Sequence, residues 1–257
     1  MPTFLRNLVG RGQKTVRGSL KDRYDDAISL FVELCKKSFG KRLASIVLYG
    51  SASVKDHISG FSDLDVMLVM ENHARGPEDY LLLRDIKETV AVKTGVEIHE
   101  SWVFGKSLLL SVPTIWETLS ARTIYGEPII ENAPLVDLHK RTSIKAMHDL
   151  RDQWDRRKEN LTLEEKAKTA LGHTLKFAQN ALLYYDVVKM KKGDIVEAFE
   201  EKFREFRMRD SPRRAYQNIL TWEKVKEDET KLCQVVDDFE KFLNNLYWHV
   251  ALKTLLE

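Results

Sequence analysis

The sequence predicts an α+β protein in which a small mixed β-sheet with flanking helices is followed by an all-helical bundle. Up to about residue 135, short apolar runs with β-like alternation are interleaved with amphipathic helical segments, and from residue 136 only helical periodicity remains. With 257 residues, the chain has room for one large or two modest domains. We therefore expect a basic N-terminal arm at 1–19, a mixed-sheet domain at 20–135 and a helical bundle at 136–257.

The elements of the first domain follow from local signals of helix and strand ends. A helical stretch over Leu20–Phe39 ends at Gly40, and a second helix is bounded by Pro77 and Gly95. Strands are predicted from β-branched and apolar runs. The strand segments are "ASIVLY" (Ala44–Tyr49), "LDVMLVM" (Leu64–Met70) and "VEIHESWVF", and "VPTIWETLSARTIYG" is expected to form a short helix and a turn into "EPII". The expected order is α-β-α-β-α-β-α.

The second domain is predicted to contain five amphipathic helices. Thr162-Leu-Glu-Glu165 is a capping box at the start of a long predicted helix that continues to about Tyr185. Gly193 is expected to end the connection before a helix starting at Asp194, and Ser211-Pro212 supplies the N-cap and first residue of another. The aromatic residues of these helices are most simply core side chains, and some could form a dimer face: Phe199, Phe203, Phe206, Trp222, Phe239 and Trp248.

Composition narrows the class of protein. Only two cysteines are present, Cys35 and Cys233, far apart and without metal-type spacing, and no apolar run approaches a membrane span. These features favour a cytoplasmic protein with no membrane partner. The net charge is +2, from 41 basic and 39 acidic residues, so a nucleic-acid partner stays open but is not favoured. The basic residues near the N-terminus are expected to be solvated, with a phosphate- or RNA-contacting arm as the alternative.

Two aspartates interrupt a segment that otherwise predicts a buried strand, "SDLDVMLVM". On a strand, Asp63 and Asp65 point to the same face, because residues i and i+2 share a side. Two carboxylates held together repel each other unless a cation lies between them, and hard oxygen ligands favour Mg²⁺ or Mn²⁺. The alternative is that Ser62 and Asp63 are ordinary turn residues before the strand.

Residues on the two neighbouring segments extend this candidate site. Gly50 and Ser51 follow a strand and precede a helix start, where backbone N–H groups and a hydroxyl suit a phosphate. A third carboxylate is expected on the strand "VEIHESWVF". Glu97 is the preferred candidate, since Glu100 has the parity of the core, and His99 either joins the site or only borders it.

Together, "GS…GFSDLDVMLV" and the acidic residue of "VEIH" resemble the signature of the nucleotidyltransferase superfamily founded on polymerase β. The resemblance implies that Gly50 and Ser51 contact a nucleoside triphosphate, with ATP preferred, and that Asp63, Asp65 and Glu97 bind two divalent cations and are the catalytic residues. It implies transfer of a nucleoside monophosphate to an acceptor hydroxyl. The chain departs from the family pattern after Gly-Ser, where Lys55 comes late and no glycine follows until Gly60.

The succession of a short mixed-sheet domain and a helical bundle resembles kanamycin-nucleotidyltransferase-like enzymes and minimal nucleotidyltransferases with HEPN-like helical domains. This implies an acceptor that is a small molecule or a protein, and a homodimer. It also implies a general base in the bundle, for which Asp149, Asp152 and Asp155 remain undecided. The alternative is a catalytically silent, antitoxin-like partner-binding module. Arg141 and His148 match a HEPN ribonuclease spacing, but on the first bundle helix, so ribonuclease activity is not expected.

Overall fold

The computed structural model describes residues 20–58, 60–71, 77–104, 115–129 and 140–256. By its internal contacts the chain divides into two compact units, Met1–Leu135 and Val136–Glu257. The expected basic arm, 1–19, and the segment "ENAPLVDLHK" around the division lie outside the described residues.

The first unit contains a mixed sheet whose described strands are ordered β3-β2-β1-β4. β1 pairs antiparallel with both β2 and β4, whereas β2 and β3 are parallel. This sheet and the helices around it confirm the α+β class predicted from the sequence. The strands are β1 (Leu43–Leu48), β2 (Leu64–Met70), β3 (Ile98–Phe104) and β4 (Arg122–Gly126).

The helices of the first unit are α1 (Leu20–Phe39), α2 (Gly50–Ser53), α3 (Pro77–Thr94) and α4 (Ile115–Ser120). The apolar faces of α1 and α3 pack against one face of the sheet and form one core cluster with it. Strand β2 contributes its alternate residues Leu64, Val66, Leu68 and Met70 to this cluster, since alternate residues of a strand point to the same face. Burying each large apolar side chain there contributes about 1.5–3 kcal/mol. The intervening residues of β2, Met67 and Val69, join a smaller cluster on the opposite face with Val47 and Tyr49.

The fourth strand, β4, was not predicted; the sequence indicated a turn in its place. Its residues are half-exposed or exposed, and it pairs at the edge of the described sheet, so it lacks the continuous apolar pattern of a central strand. Gly126 adopts φ +80°, and a Cβ there would lie 2.0 Å from the Ala44 carbonyl oxygen. β3 starts at Ile98, two residues later than predicted, which leaves Glu97 just before the strand.

In the second unit, α6 is the central helix and packs against four others. The Thr162 capping box predicted at its start is present, with the Thr162 hydroxyl accepting from the Glu165 N–H and the Glu165 carboxylate accepting from the Thr162 N–H. The helices are α5 (Lys140–Arg157), α6 (Leu163–Tyr184), α7 (Lys192–Lys202), α8 (Ser211–Leu220), α9 (Trp222–Val225) and α10 (Glu229–Leu256). None of the described helices is both long and apolar enough to cross a membrane.

Four details of the second unit differ from the sequence prediction. The short α9 is a sixth described helix that the sequence did not predict. Helix α7 begins at Lys192, so Gly193 lies inside its first turn and not before the helix. The backbone N–H groups of this first turn have no partner within the helix. Ser211 is the first residue of α8 and Asp210 is its N-cap. The expected core aromatics are buried or half-buried except Trp248, whose exposed fraction is 54%.

The second unit also contains a buried histidine that should make folding sensitive to acid. His173 of α6 packs edge-on against Phe239, with ring centroids 6.0 Å apart. Burial, with smaller contributions from the charges of Lys176 and Arg157, lowers the pKa of His173 to about 3. In an unfolded chain the pKa is about 6.5. Between about pH 6.5 and about pH 3, His173 is protonated in the unfolded chain but stays neutral in the folded chain. Protonation therefore favours the unfolded chain, and the free energy of unfolding falls as the pH falls through this range.

We expect His173→Leu to remove this acid sensitivity. From about pH 7 to about pH 4, the free energy of unfolding of the wild type should fall relative to that of the variant by on the order of 3 kcal/mol. Urea unfolding followed by circular dichroism at each pH gives the difference. His148→Leu, at an exposed position of α5, is the control and should follow the wild type. Parallel curves for wild type and His173→Leu would show that His173 is not held neutral by folding.

Candidate functional site

The sheet register brings the predicted site residues to one face at the N-terminal ends of β2 and β3. Asp65 is paired with His99 across these parallel strands. The Leu64 N–H donates to the Glu97 carbonyl oxygen at 2.9 Å, which continues the ladder back by one step. Alternation then puts Asp63 and Glu97 on the same side as Asp65, opposite the face that packs on α1 and α3.

Gly50 ends the connection from β1 and begins α2 directly beside the Asp65 carboxylate. A Cβ at Gly50 would lie 2.4 Å from Asp65 Oδ2, and the residue has φ +69°. The adjacent Tyr49 N–H donates to the Asp65 carbonyl oxygen at 3.1 Å, so β1 and β2 are still joined at this point. The chain therefore packs the Gly50-Ser51 turn against Asp65 at a distance that only glycine permits.

Ser120, at the end of α4, holds this turn. The Gly50 N–H donates to Ser120 Oγ at 3.0 Å, and the Ser120 hydroxyl donates to the Trp116 carbonyl oxygen at 2.7 Å. The Gly50 amide that the sequence assigned to a phosphate thus has a protein acceptor in this structure. Sequence reasoning missed Ser120, because a serine at the end of a short helix is commonplace and its partner is 70 residues away.

We expect Ser120→Ala to loosen the turn. The change leaves the Gly50 N–H without its side-chain acceptor, and a lost hydrogen bond of this kind lowers the free energy of unfolding by about 1–2 kcal/mol. Chemical denaturation measures this loss. Thr89→Val is the control, because the Thr89 hydroxyl donates within its own helix, to the Asp85 carbonyl oxygen at 2.7 Å. We also expect the Gly50 amide to exchange faster in Ser120→Ala than in the wild type, and at the wild-type rate in Thr89→Val. Unchanged exchange at Gly50 in Ser120→Ala would contradict the role assigned to Ser120.

His99 is in contact with Asp65. Its Nδ1 lies 3.6 Å from Asp65 Oδ1, with 72% of the His99 side chain and 30% of the Asp65 side chain exposed. The close approach of Asp65 raises the pKa of His99 above its ordinary value, and partial burial opposes this. The negative charges of Asp65, Glu100 and Asp63 raise the pKa further. The imidazole therefore lies in the negative field of the predicted carboxylates.

The two glutamates of this region have different surroundings. Glu100 forms an ion pair with Lys87 of α3, on the side of the sheet that packs against the helices. Glu97 is exposed and directly precedes β3, and its carbonyl oxygen accepts from the Leu64 N–H. Glu100 is thus engaged by Lys87 on the helix-covered side, and the assignment of Glu97 as the third carboxylate stays a prediction.

The carboxylates of Asp63, Asp65 and Glu97 are suitable ligands for a divalent cation, although their side chains do not surround a common point. Among the described residues, no three His, Cys, Asp or Glu side chains are grouped closely enough to hold a metal ion. The aspartates and Glu97 are nevertheless hard oxygen donors on one sheet face, which is the chemistry that Mg²⁺ and Mn²⁺ take.

Tyr24 of α1 fixes the loop that carries Asp63. Its hydroxyl donates to the Ser62 carbonyl oxygen at 2.7 Å. Burial, and secondarily the charge of Asp63, raises the pKa of Tyr24. The sequence places Tyr24 seven residues before Phe31, on the apolar stripe of α1, but this spacing does not reveal that the hydroxyl reaches the loop.

The three candidate general bases on α5 each have a basic neighbour. Asp149 lies 2.7 Å from Lys145 Nζ, Asp152 lies 3.4 Å from His148 Nδ1, and Asp155 lies 3.5 Å from Lys158 Nζ. These contacts are formed within the second unit and do not single out one aspartate.

Comparison with known proteins identifies the class of fold. No protein-family model matches the chain, and none of the curated proteins matches its sequence. Among solved structures there are matches, and they show the fold.

One solved structure with this fold is the spectinomycin adenyltransferase AAD(9) from Enterococcus faecialis, with ATP and spectinomycin. The TM-score is 0.59 at 14% sequence identity, and the alignment covers 86% of this chain and 98% of that one. At this identity the likeness establishes the fold, and it includes residues of both units because neither unit alone makes up 86% of the chain.

Proposed function

We propose that the chain is a nucleotidyltransferase that moves a nucleoside monophosphate from ATP to an acceptor hydroxyl. The observation that carries this proposal is the contact between Gly50 and Asp65, which packs a Gly-Ser turn against one of the paired carboxylates. The shared fold with an adenyltransferase supports it. A turn for a triphosphate beside carboxylates for its cations is the arrangement that phosphoryl chemistry requires.

In the proposed reaction an acceptor hydroxyl oxygen forms a bond to the α-phosphorus of ATP. The bond from that phosphorus to the oxygen bridging to the β-phosphorus breaks, and pyrophosphate leaves. The hydroxyl proton passes to a carboxylate base, for which Asp149, Asp152 and Asp155 remain candidates. Gly50 and Ser51 orient the triphosphate, so that the reacting atoms are in line.

Asp63, Asp65 and Glu97 are the residues that would hold Mg²⁺ or Mn²⁺. The bound cation supplies charge neutralisation of the phosphate oxygens and of the leaving pyrophosphate. The carboxylates keep this charge at the sheet face beside the Gly50 turn. Ser120 and Tyr24 act through these groups, Ser120 by holding the turn and Tyr24 by holding the loop before β2.

The acceptor is proposed to be a small polyhydroxylated molecule of the aminocyclitol or aminoglycoside class, since the structural neighbour binds spectinomycin. A protein side chain is the second acceptor class. A HEPN-like identity for the bundle and a homodimer are further proposals, and light scattering of the purified chain tests the dimer.

Phosphorus NMR of the chain with ATP, Mg²⁺ and a panel of aminocyclitols that includes spectinomycin tests the reaction. We expect a new phosphodiester resonance and an equal amount of pyrophosphate. Release of ADP and inorganic phosphate instead would show cleavage at the wrong phosphorus and would overturn the proposal.

A catalytically silent partner-binding module is the second candidate function. The observation in its favour is that the described His, Cys, Asp and Glu side chains form no closed metal-holding group. This candidate predicts that ATP is neither consumed nor bound in a cation-dependent way, with any acceptor supplied.

A further inference from the structure

The strongest feature not used by the proposed function is the contact between His99 and Asp65. The two residues face each other across adjacent parallel strands, so their backbones are held in register by the ladder. His99 Nδ1 and Asp65 Oδ1 are 3.6 Å apart. Donor atoms that occupy adjacent positions around one octahedral cation are about 3 Å apart, given bond lengths of about 2.1 Å. A small side-chain rotation therefore lets both atoms bind one ion.

We propose that His99 supplies an imidazole nitrogen to the cation site that Asp65 begins, and that this nitrogen makes the site favour Mn²⁺ over Mg²⁺. This inference rests on the proposed function, because it concerns the cation that accompanies the nucleotide. It adds a nitrogen donor to a set that the sequence resemblance describes as carboxylates alone.

The chemistry of the donors gives the direction of this preference. Mg²⁺ takes oxygen donors and gives up water reluctantly, so a neighbouring imidazole contributes little to its binding. Imidazole binds transition metals well, and Mn²⁺ accepts both carboxylate oxygen and imidazole nitrogen. Adding a nitrogen donor should therefore strengthen Mn²⁺ binding and leave Mg²⁺ binding almost unchanged.

The exposure of the two side chains fits an open site. His99 is largely exposed and Asp65 partly so, which leaves both accessible to an ion that arrives with a nucleotide. Asp63 also acts electrostatically on the same imidazole. A cation at His99 and Asp65 would thus lie in a field made by more than one carboxylate.

The chain provides a matched control pair. His148 and Asp152 on α5 are also in contact, with Nδ1 and Oδ2 3.4 Å apart and both side chains about half exposed. Lys145 and Arg151 lie on the same helix and form ion pairs with its other aspartates. This second pair lacks the adjacent carboxylates on a strand and is expected not to bind Mn²⁺ at low concentration.

Electron-spin-echo spectroscopy of the full chain with Mn²⁺ alone tests the inference. We expect modulation from a coordinated imidazole nitrogen in the wild type and in His148→Gln, and its loss in His99→Gln. Calorimetric titration should show Mn²⁺ affinity about tenfold lower in His99→Gln, with Mg²⁺ affinity changed by less than about twofold. A merely structural role for His99 does not produce a nitrogen signal.

Three results would overturn the inference, and they are distinguishable. If Mn²⁺ binds, depends on Asp65, and shows no nitrogen modulation, or shows one that survives His99→Gln, then His99 is not a ligand and the proposed function stands. If the wild type binds neither cation, the inference fails, because His99 and Asp65 then hold no ion by themselves. If Asp65→Asn binds both cations as the wild type does, the cation site is not at Asp65, and the proposed function fails with the inference.

Discussion

Asp65→Asn is expected to reduce nucleotidyl transfer by about 10³-fold or more while the chain stays folded. The change removes one negative charge from the sheet face where the cations are proposed to bind, and loss of several kcal/mol of transition-state stabilisation corresponds to this factor. Asn keeps the size of the side chain beside Gly50, so the close contact in the wild type is preserved. The initial rate of pyrophosphate release with ATP, Mg²⁺ and acceptor gives the measurement.

The matched control is Asp237→Asn, at an exposed position of α10. It makes the same chemical change in the other unit and should leave the rate of transfer within about twofold of the wild type, because an exposed surface substitution is usually neutral. Circular dichroism and the urea midpoint establish that both variants fold. A folded Asp65→Asn protein with more than about a tenth of the wild-type rate would exclude Asp65 as a ligand of an essential cation.

Gly50→Ala is expected to separate stability from function. The Cβ would lie 2.4 Å from Asp65 Oδ2, the far end of a short side chain that can turn away, so the cost in folding is mainly that of a left-handed conformation. That cost is about 1–2 kcal/mol. The displaced carboxylate should lower nucleotidyl transfer by about 100-fold or more, since small misplacements at a reacting centre have effects of this size.

Gly95→Ala is a close control for this experiment. Gly95 has φ +70°, almost the same as Gly50, but a Cβ there meets no atom within 4 Å. Both variants should therefore lose similar unfolding free energy, measured by chemical denaturation, and only Gly50→Ala should lose transfer. Equal rates for the two variants would mean that the Gly50–Asp65 contact does not position the reacting groups.

Elements set by local sequence signals were predictable. Helix α1 and strand β2 have the predicted bounds, because a helical stripe that ends at a glycine and an alternating apolar strand are encoded within the segment itself. The Thr162 capping box is likewise a local interaction between residues three apart. Strand β4 was missed because an edge strand buries little of either face and its short sequence resembles a turn.

The sequence predicted the acidic residues of the candidate site, but not the residues that hold the neighbouring turn and loop in place. The parity of Asp63 and Asp65 follows from strand geometry alone, which is why "SDLD" by itself predicts a cation site. Ser120 and Tyr24 act through contacts with residues 70 and 38 positions away, and no local pattern encodes such a distance. The position of His99 opposite Asp65 depends on the register of two strands that a single sequence does not give.

Hydrogen exchange with a non-hydrolysable ATP analogue and Mg²⁺ tests the proposed nucleotide and cation site without any knowledge of the acceptor. We predict slower amide exchange in the Gly50–Ser53 turn and around Asp63 and Asp65 when the nucleotide and cation are both present. This protection should disappear in Asp65→Asn. Exchange that is unchanged in these segments, or protection that persists in Asp65→Asn, would contradict the assignment of the nucleotide and cation site.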